Sequence, residues 1–120
     1  MNKLFLLTIC LSFMCSCNWN KNGINVKIKN SSDTDVHDII FSTNDPKINL
    51  KFRNIKPGET IEEFLDMTSN VKGDGNYLIS FKRGSGKIEK MSGGYYTNGG
   101  SLNYTVLCEV KNDTILMTFR

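Results

Sequence analysis

From Ile24 onward, apolar residues recur at every second position. Ile24, Val26 and Ile28 alternate with Asn25, Lys27 and Lys29, and Ile48, Leu50 and Phe52 alternate with Asn49 and Lys51. Tyr77, Ile79 and Phe81 repeat the pattern around Leu78 and Ser80, and Leu102, Tyr104, Val106, Cys108 and Val110 form the longest run, predicting five inward positions. A period of two puts successive side chains on opposite faces, which suits a half-buried strand and not a helix. A last strand is expected over Thr114 to Arg120, with Ile115, Met117 and Phe119 on one face and a hairpin through Lys111-Asn112-Asp113. Shorter strands are expected at Val36–Thr43, Thr60–Leu65 and Lys87–Met91. Turn chemistry separates them: Asn30-Ser31-Ser32-Asp33, Asn44-Asp45-Pro46, Lys56-Pro57-Gly58-Glu59, Gly73-Asp74-Gly75-Asn76 and Gly84-Ser85-Gly86. The pattern predicts an all-β chain of seven or eight strands arranged as an antiparallel β-sandwich, with a small β-barrel as the alternative.

The N-terminus follows another rule. Asn2 and Lys3 precede an apolar run from Leu4 to Met14, which ends at the small residue Ser16. That is the layout of a secretory signal, and the run is too short for a bilayer span of about 20 residues. Of the nearby cysteines, Cys10 would leave too little apolar chain before it and Cys15 follows the bulky Met14, whereas Cys17 follows Met14-Cys15-Ser16. This tract resembles a bacterial lipobox of the Bacteroidetes type. The resemblance implies a signal helix within residues 1–16, cleavage before Cys17, diacylglycerol on its sulfur and an acylated new N-terminus. More than one acyl chain gives stable anchoring where a single chain gives only marginal binding. Residues 17–23 read as a tether and 24–120 as the folded domain. Trp19 in the tether suits either the bilayer interface or the domain surface. The tether carries no acidic run, which favours an outer membrane position facing the periplasm over the cell surface.

Composition narrows the picture further. A domain of this size buries one modest core. The formal charge of +3 falls by one when Lys3 leaves with the signal, too weak and dispersed a bias to suggest nucleic acid. With Cys17 lipidated, Cys108 is the single remaining thiol of the mature chain, so no internal disulfide staples it.

Three stretches carry a resemblance. Asn25-Val26-Lys27-Ile28-Lys29-Asn30, Asn54-Ile55-Lys56-Pro57-Gly58-Glu59-Thr60 and Gly75-Asn76-Tyr77-Leu78-Ile79-Ser80-Phe81 resemble the strand, Pro-Gly turn and Tyr-centred strand of bacterial immunoglobulin-like modules. They are also similar to stretches of small Bacteroidetes lipoproteins, over roughly residues 24 to 90. The resemblance implies an immunoglobulin-like sandwich and no particular activity.

Candidate chemistry is sparse. Hydrolytic triads and most zinc sites draw on histidine, and His37 is the one available. Cys108 lies in an inward register, where a thiol packs as a small hydrophobe. Asp33, Asp35 and Asp38 are the densest set of oxygen ligands, but the run lacks the glycine and glutamate of a calcium loop and reads as a solvated turn. Ser92 to Ser101 is the most unusual segment, with four glycines around Tyr95, Tyr96 and Asn98. Two aromatics and an amide on a permissive backbone would suit a sugar or a peptide edge, and these three are the candidate binding residues. The alternative is a strand bearing Tyr95 and Tyr96 on opposite faces between glycine turns. Asp113-Thr114-Ile115 resembles the O-glycosylation acceptor of Bacteroidetes, which makes Thr114 a candidate glycan site.

The expectation is therefore a lipid-anchored, non-enzymatic binding or structural module of the cell envelope. No cofactor or metal is expected, and its partners would be the bilayer through Cys17 and an envelope protein or glycan. An inhibitor or immunity-type lipoprotein that neutralises a toxin or hydrolase is the alternative.

Overall fold

The computed structural model describes residues 22–120. Residues 1–16, the lipidation candidate Cys17, Trp19 and the tether through residue 21 lie outside the described residues.

Nine strands follow in order among the described residues: β1 (Gly23–Asn30), β2 (Val36–Ser42), β3 (Asn49–Phe52), β4 (Thr60–Asp66), β5 (Gly75–Arg83), β6 (Ile88–Thr97), β7 (Gly100–Ser101), β8 (Thr105–Val110) and β9 (Ile115–Phe119). They form one sheet ordered β4-β1-β8-β9 and another ordered β3-β2-β5-β6-β7. The all-β sandwich read from the alternation is what the chain builds, with the two-residue β7 as an added strand. The two-layer architecture is shared with immunoglobulin domains, but the strand order differs from their ABED/CFG arrangement.

Within the first sheet β1 pairs antiparallel with β4, Ile24 opposite Leu65, and parallel with β8, Ile28 opposite Cys108. The pairings in the second sheet are antiparallel throughout. Ile24, Val26 and Ile28 of the first sheet and Phe41, Tyr77, Ile79 and Phe81 of the second meet in the buried core. Tyr77 is its hub: the rings of Phe41 and Phe119 stack on it at 5.6 Å each, and that of Tyr96 tilts against it at 5.4 Å. Phe119 belongs to the first sheet and Tyr77 to the second, so this contact joins the layers. Asn30, fully buried, secures one end, donating to the carbonyls of Thr34 and Ile55 while its own oxygen accepts from the Ser32 amide and hydroxyl.

Two expectations change. The strand begins at Gly23, so the last tether residue belongs to the domain. The five-residue inward run is really three: Val106, Cys108 and Val110 are buried, but Leu102 is 59% and Tyr104 86% exposed. The cause is topological. Ser101 still pairs with Tyr96 in the second sheet, and residues 102–104 cross to the first, which breaks the register.

Candidate functional site

The glycine-rich segment proves to be the end of β6 and its turn into β7. Gly93 and Gly94 are required by packing: a side chain at Gly94 would run into the Phe119 ring, and one at Gly93 would press on the Met117 sulfur. Gly94 also has a φ of +69°, which glycine adopts without strain. Tyr96 turns inward, 3% exposed, and its hydroxyl accepts the Asn44 amide. Tyr95 turns outward, so the two tyrosines occupy opposite faces of the strand. The Tyr95 hydroxyl donates to Asp74 Oδ2 at 2.6 Å, and the Asn98 backbone N–H donates to Asp74 Oδ1 at 3.2 Å. These bonds hold the Asp74 carboxyl below the ordinary carboxylate range, and the Asp74 contact pushes the Tyr95 phenol up. Of the three candidate residues, the fold brings Tyr95 and Asn98 together on Asp74 and places Tyr96 in the core. Asp74 thus closes the turn on itself.

The chain's other distinctive groups are also committed locally. Burial pushes the Cys108 thiol up to about 12, so it stays protonated at neutral pH. His37 sits with Nε2 2.6 Å from the Gly84 carbonyl and Nδ1 3.2 Å from Asp38 Oδ2. Both ring nitrogens face acceptors, and only the imidazolium can donate to both, so its pKa is raised, first by the Gly84 carbonyl and then by Asp38. Asp33 accepts from the Asn112 amide, whereas Asp38 faces His37 and Lys82, so the aspartates of this run diverge. Among the described residues, no group of three or more His, Cys, Asp or Glu could hold a metal ion.

A different surface stands out once the register is known. On the outer face of the second sheet, Lys51 lies opposite Ile40, Ile40 opposite Ser80, and Ser80 opposite Lys90. Directly opposed residues share a face, so the four side chains form one row across β3, β2, β5 and β6. Ile88 on β6 and Leu78 on β5 flank the row, opposite Lys82 and Ser92 respectively. A β-bulge interrupts β2 between His37 and Ile40, with Asp38 in the left-handed region at φ +52°. Such bulges bend a strand and re-aim its side chains. Beside it opens a groove of about 510 Å³, whose exposed apolar surface comes from Ile40 and Ile88, with the buried Ile39 and Phe52 also lining it and Lys51 and Lys82 at its walls. Its volume is that of a ligand site. Lys82 reaches Asp38 at 3.8 Å, but neither Lys51 nor Lys90 makes an ion pair with a described residue.

A second exposed feature lies where the chain enters the domain. Asn22 and Met67 are joined backbone to backbone, and a side chain at Gly100 would touch the Asn22 amide. Around this point Val71, Leu102 and Tyr104 are all more than half exposed. The Asn25 amide donates to the Tyr104 carbonyl, and Gly99 packs on the Val71 backbone, so the three belong to one end of the sandwich.

No family model matches the chain, and no curated protein does. An NMR structure of a protein from Eubacterium rectale has the same fold, with a TM-score of 0.55 at 15% identity over 87% of this chain and 94% of that one.

Proposed function

We propose that the protein is a lipid-anchored, non-enzymatic binding module of the bacterial cell envelope, held through acylated Cys17 on the outer membrane and facing the periplasm. The observation that carries this reading is the exposure of Val71, Leu102 and Tyr104 at the end of the sandwich where the chain enters the domain. From Cys17 to Asn22 an extended chain reaches at most about 17 Å, so a lipid on Cys17 keeps that end of the sandwich close to the bilayer. Apolar and aromatic tips favour the headgroup boundary, where their bodies leave water and the tyrosine hydroxyl stays solvated. The outer face of the second sheet, with its groove and unpaired lysines, then remains free to meet a partner.

Replacing Cys17 provides the test. Cys17→Ala is expected to move the protein out of the membrane fraction and to abolish incorporation of labelled palmitate, while Cys15→Ala leaves both unchanged. Labelled, membrane-bound Cys17→Ala protein would end the anchoring proposal.

A further inference from the structure

We infer that the row Lys51–Ile40–Ser80–Lys90 binds an extended acidic segment of a partner protein, with carboxylates four residues apart and an apolar side chain midway between them. This rests on the reading of the domain as a binding module and deepens it.

The charge pattern comes first. The row ends in two cations, and neither has a counterion among the described residues. Asp38, the acid beside the groove, is already shared by His37 and Lys82. An anionic partner therefore meets ammonium groups with no internal competitor. Geometry then sets the spacing. Lys51 and Lys90 stand three strand intervals apart, about 14 Å at about 4.8 Å each. An extended chain rises about 3.3 Å per residue, so four residues cover nearly the same span and return the side chain to the same face. Carboxylates at positions i and i+4 thus fall over the two lysines, and the residue at i+2 falls over Ile40 and Ser80. Ser80 makes a low floor, with Ile88 and Leu78 rising on either side of it as apolar flanks. A single lipid headgroup is too small to bridge lysines at this distance, whereas a peptide carries its charges at fixed intervals. Exposed pairs of this kind are weak individually and screened by salt, so the complex is expected to be readily reversible and to loosen as ionic strength rises.

Nuclear magnetic resonance titration of the intact chain tests this with a nine-residue peptide bearing glutamates at positions three and seven and leucine at five. The peptide is expected to shift the amide signals of Ile40 and Ser80, with its affinity at least tenfold lower for the Lys51→Glu/Lys90→Glu double variant and unchanged for Lys27→Glu on the opposite sheet. The glutamine analogue, and a peptide with its glutamates three apart, are expected to bind several-fold more weakly. Equal binding of the glutamine analogue, or full binding by the double variant, would overturn the inference. So would tighter binding at the same amides by phosphatidylglycerol vesicles or a sulfated oligosaccharide. A photo-crosslinker at Ser80, used in envelopes, separates two failures. Capture of a protein that the acidic peptide cannot displace sinks the acidic segment and leaves the binding module standing. Absence of any captured partner sinks both.

Discussion

The outer faces of the two sheets both carry lysines beside apolar residues and handle that charge differently. On the first sheet, Lys27 reaches Glu62 at 3.8 Å and Lys29 reaches Glu109 at 4.0 Å, and Glu109 also accepts the Ser31 hydroxyl at 2.7 Å. Cation and anion stand on neighbouring strands and answer each other. On the second sheet, Lys51 and Lys90 look onto isoleucine and serine. A face that meets only water gains from neutralising itself with cross-strand pairs, each contributing a few tenths of a kcal/mol. A face left with surplus charge and an apolar groove has surrendered that gain, which is the arrangement expected of a surface that meets a partner.

The contrast can be broken most forcefully at the bulge, which exists on the second face alone. Asp38 holds a φ of +52°, a conformation that aspartate tolerates and β-branched residues resist. Asp38→Val is expected to cost about 1–3 kcal/mol, a fall in melting temperature of several degrees, while Asp38→Gly leaves the melting temperature near wild type. Lys27→Val, at a regular position of the first face, is expected to stay within about 0.5 kcal/mol. Equal melting of the two valine variants would show that the bulge is unstrained.

Charge reversal gives a smaller difference. Lys29→Glu sets two carboxylates side by side at Glu109 and is expected to lower stability by up to about 1 kcal/mol in urea unfolding, an effect that shrinks in high salt. Lys51→Glu and Lys90→Glu are expected to change stability by less than about 0.5 kcal/mol, because they break no existing pair.

Proton linkage gives the smallest effect, with opposite signs on the two faces. The Ser31 hydroxyl, followed by Lys111 and Lys29, holds the Glu109 carboxyl below the ordinary carboxylate range. Its folded pKa lies under its unfolded one, so the stability it adds is present above the unfolded value and is lost as pH falls through the folded value. His37 is shifted upward, first by the Gly84 carbonyl, so its contribution is present below the ordinary imidazole value of about 6.5 and is lost as pH rises through the raised value. Ser31→Ala is expected to flatten the acid limb of a plot of melting temperature against pH, and His37→Gln the limb above the ordinary imidazole value.

Much of the fold was legible because alternation reports directly on burial. Ile24, Val26 and Ile28 read inward and are buried, and Tyr77, Ile79 and Phe81 do the same across the sandwich. Leu102 and Tyr104 misled because the period of two continues through a segment that changes sheets. Period says which way a side chain faces but not which strand lies beside it. The parallel neighbour of β1, between residues widely separated in sequence, was therefore beyond reach. The same limit hid the row on the second sheet. Lys51, Ile40, Ser80 and Lys90 lie on four strands, and only the hydrogen-bonded register aligns them. The aromatic segment was legible in its alternative form, as a strand with Tyr95 outside and Tyr96 inside; its link to Asp74 was not, since a turn over twenty residues away supplies the carboxylate.

The parallel β1–β8 pairing also bears on how the chain reaches its native state. Asn25 sits beside Thr105 and Asn30 beside Val110, so the first sheet cannot close around β1 until residues 105–110 are available. Such contacts demand loop closure over most of the chain before they return any stabilisation, and domains dominated by them fold in milliseconds to seconds. The hairpin β8–β9 is local and can form early, whereas β1 must wait for it and for β4. A chain lacking β8 and β9 would leave β1 with an open edge, so loss of these two strands is expected to abolish cooperative folding rather than trim the domain.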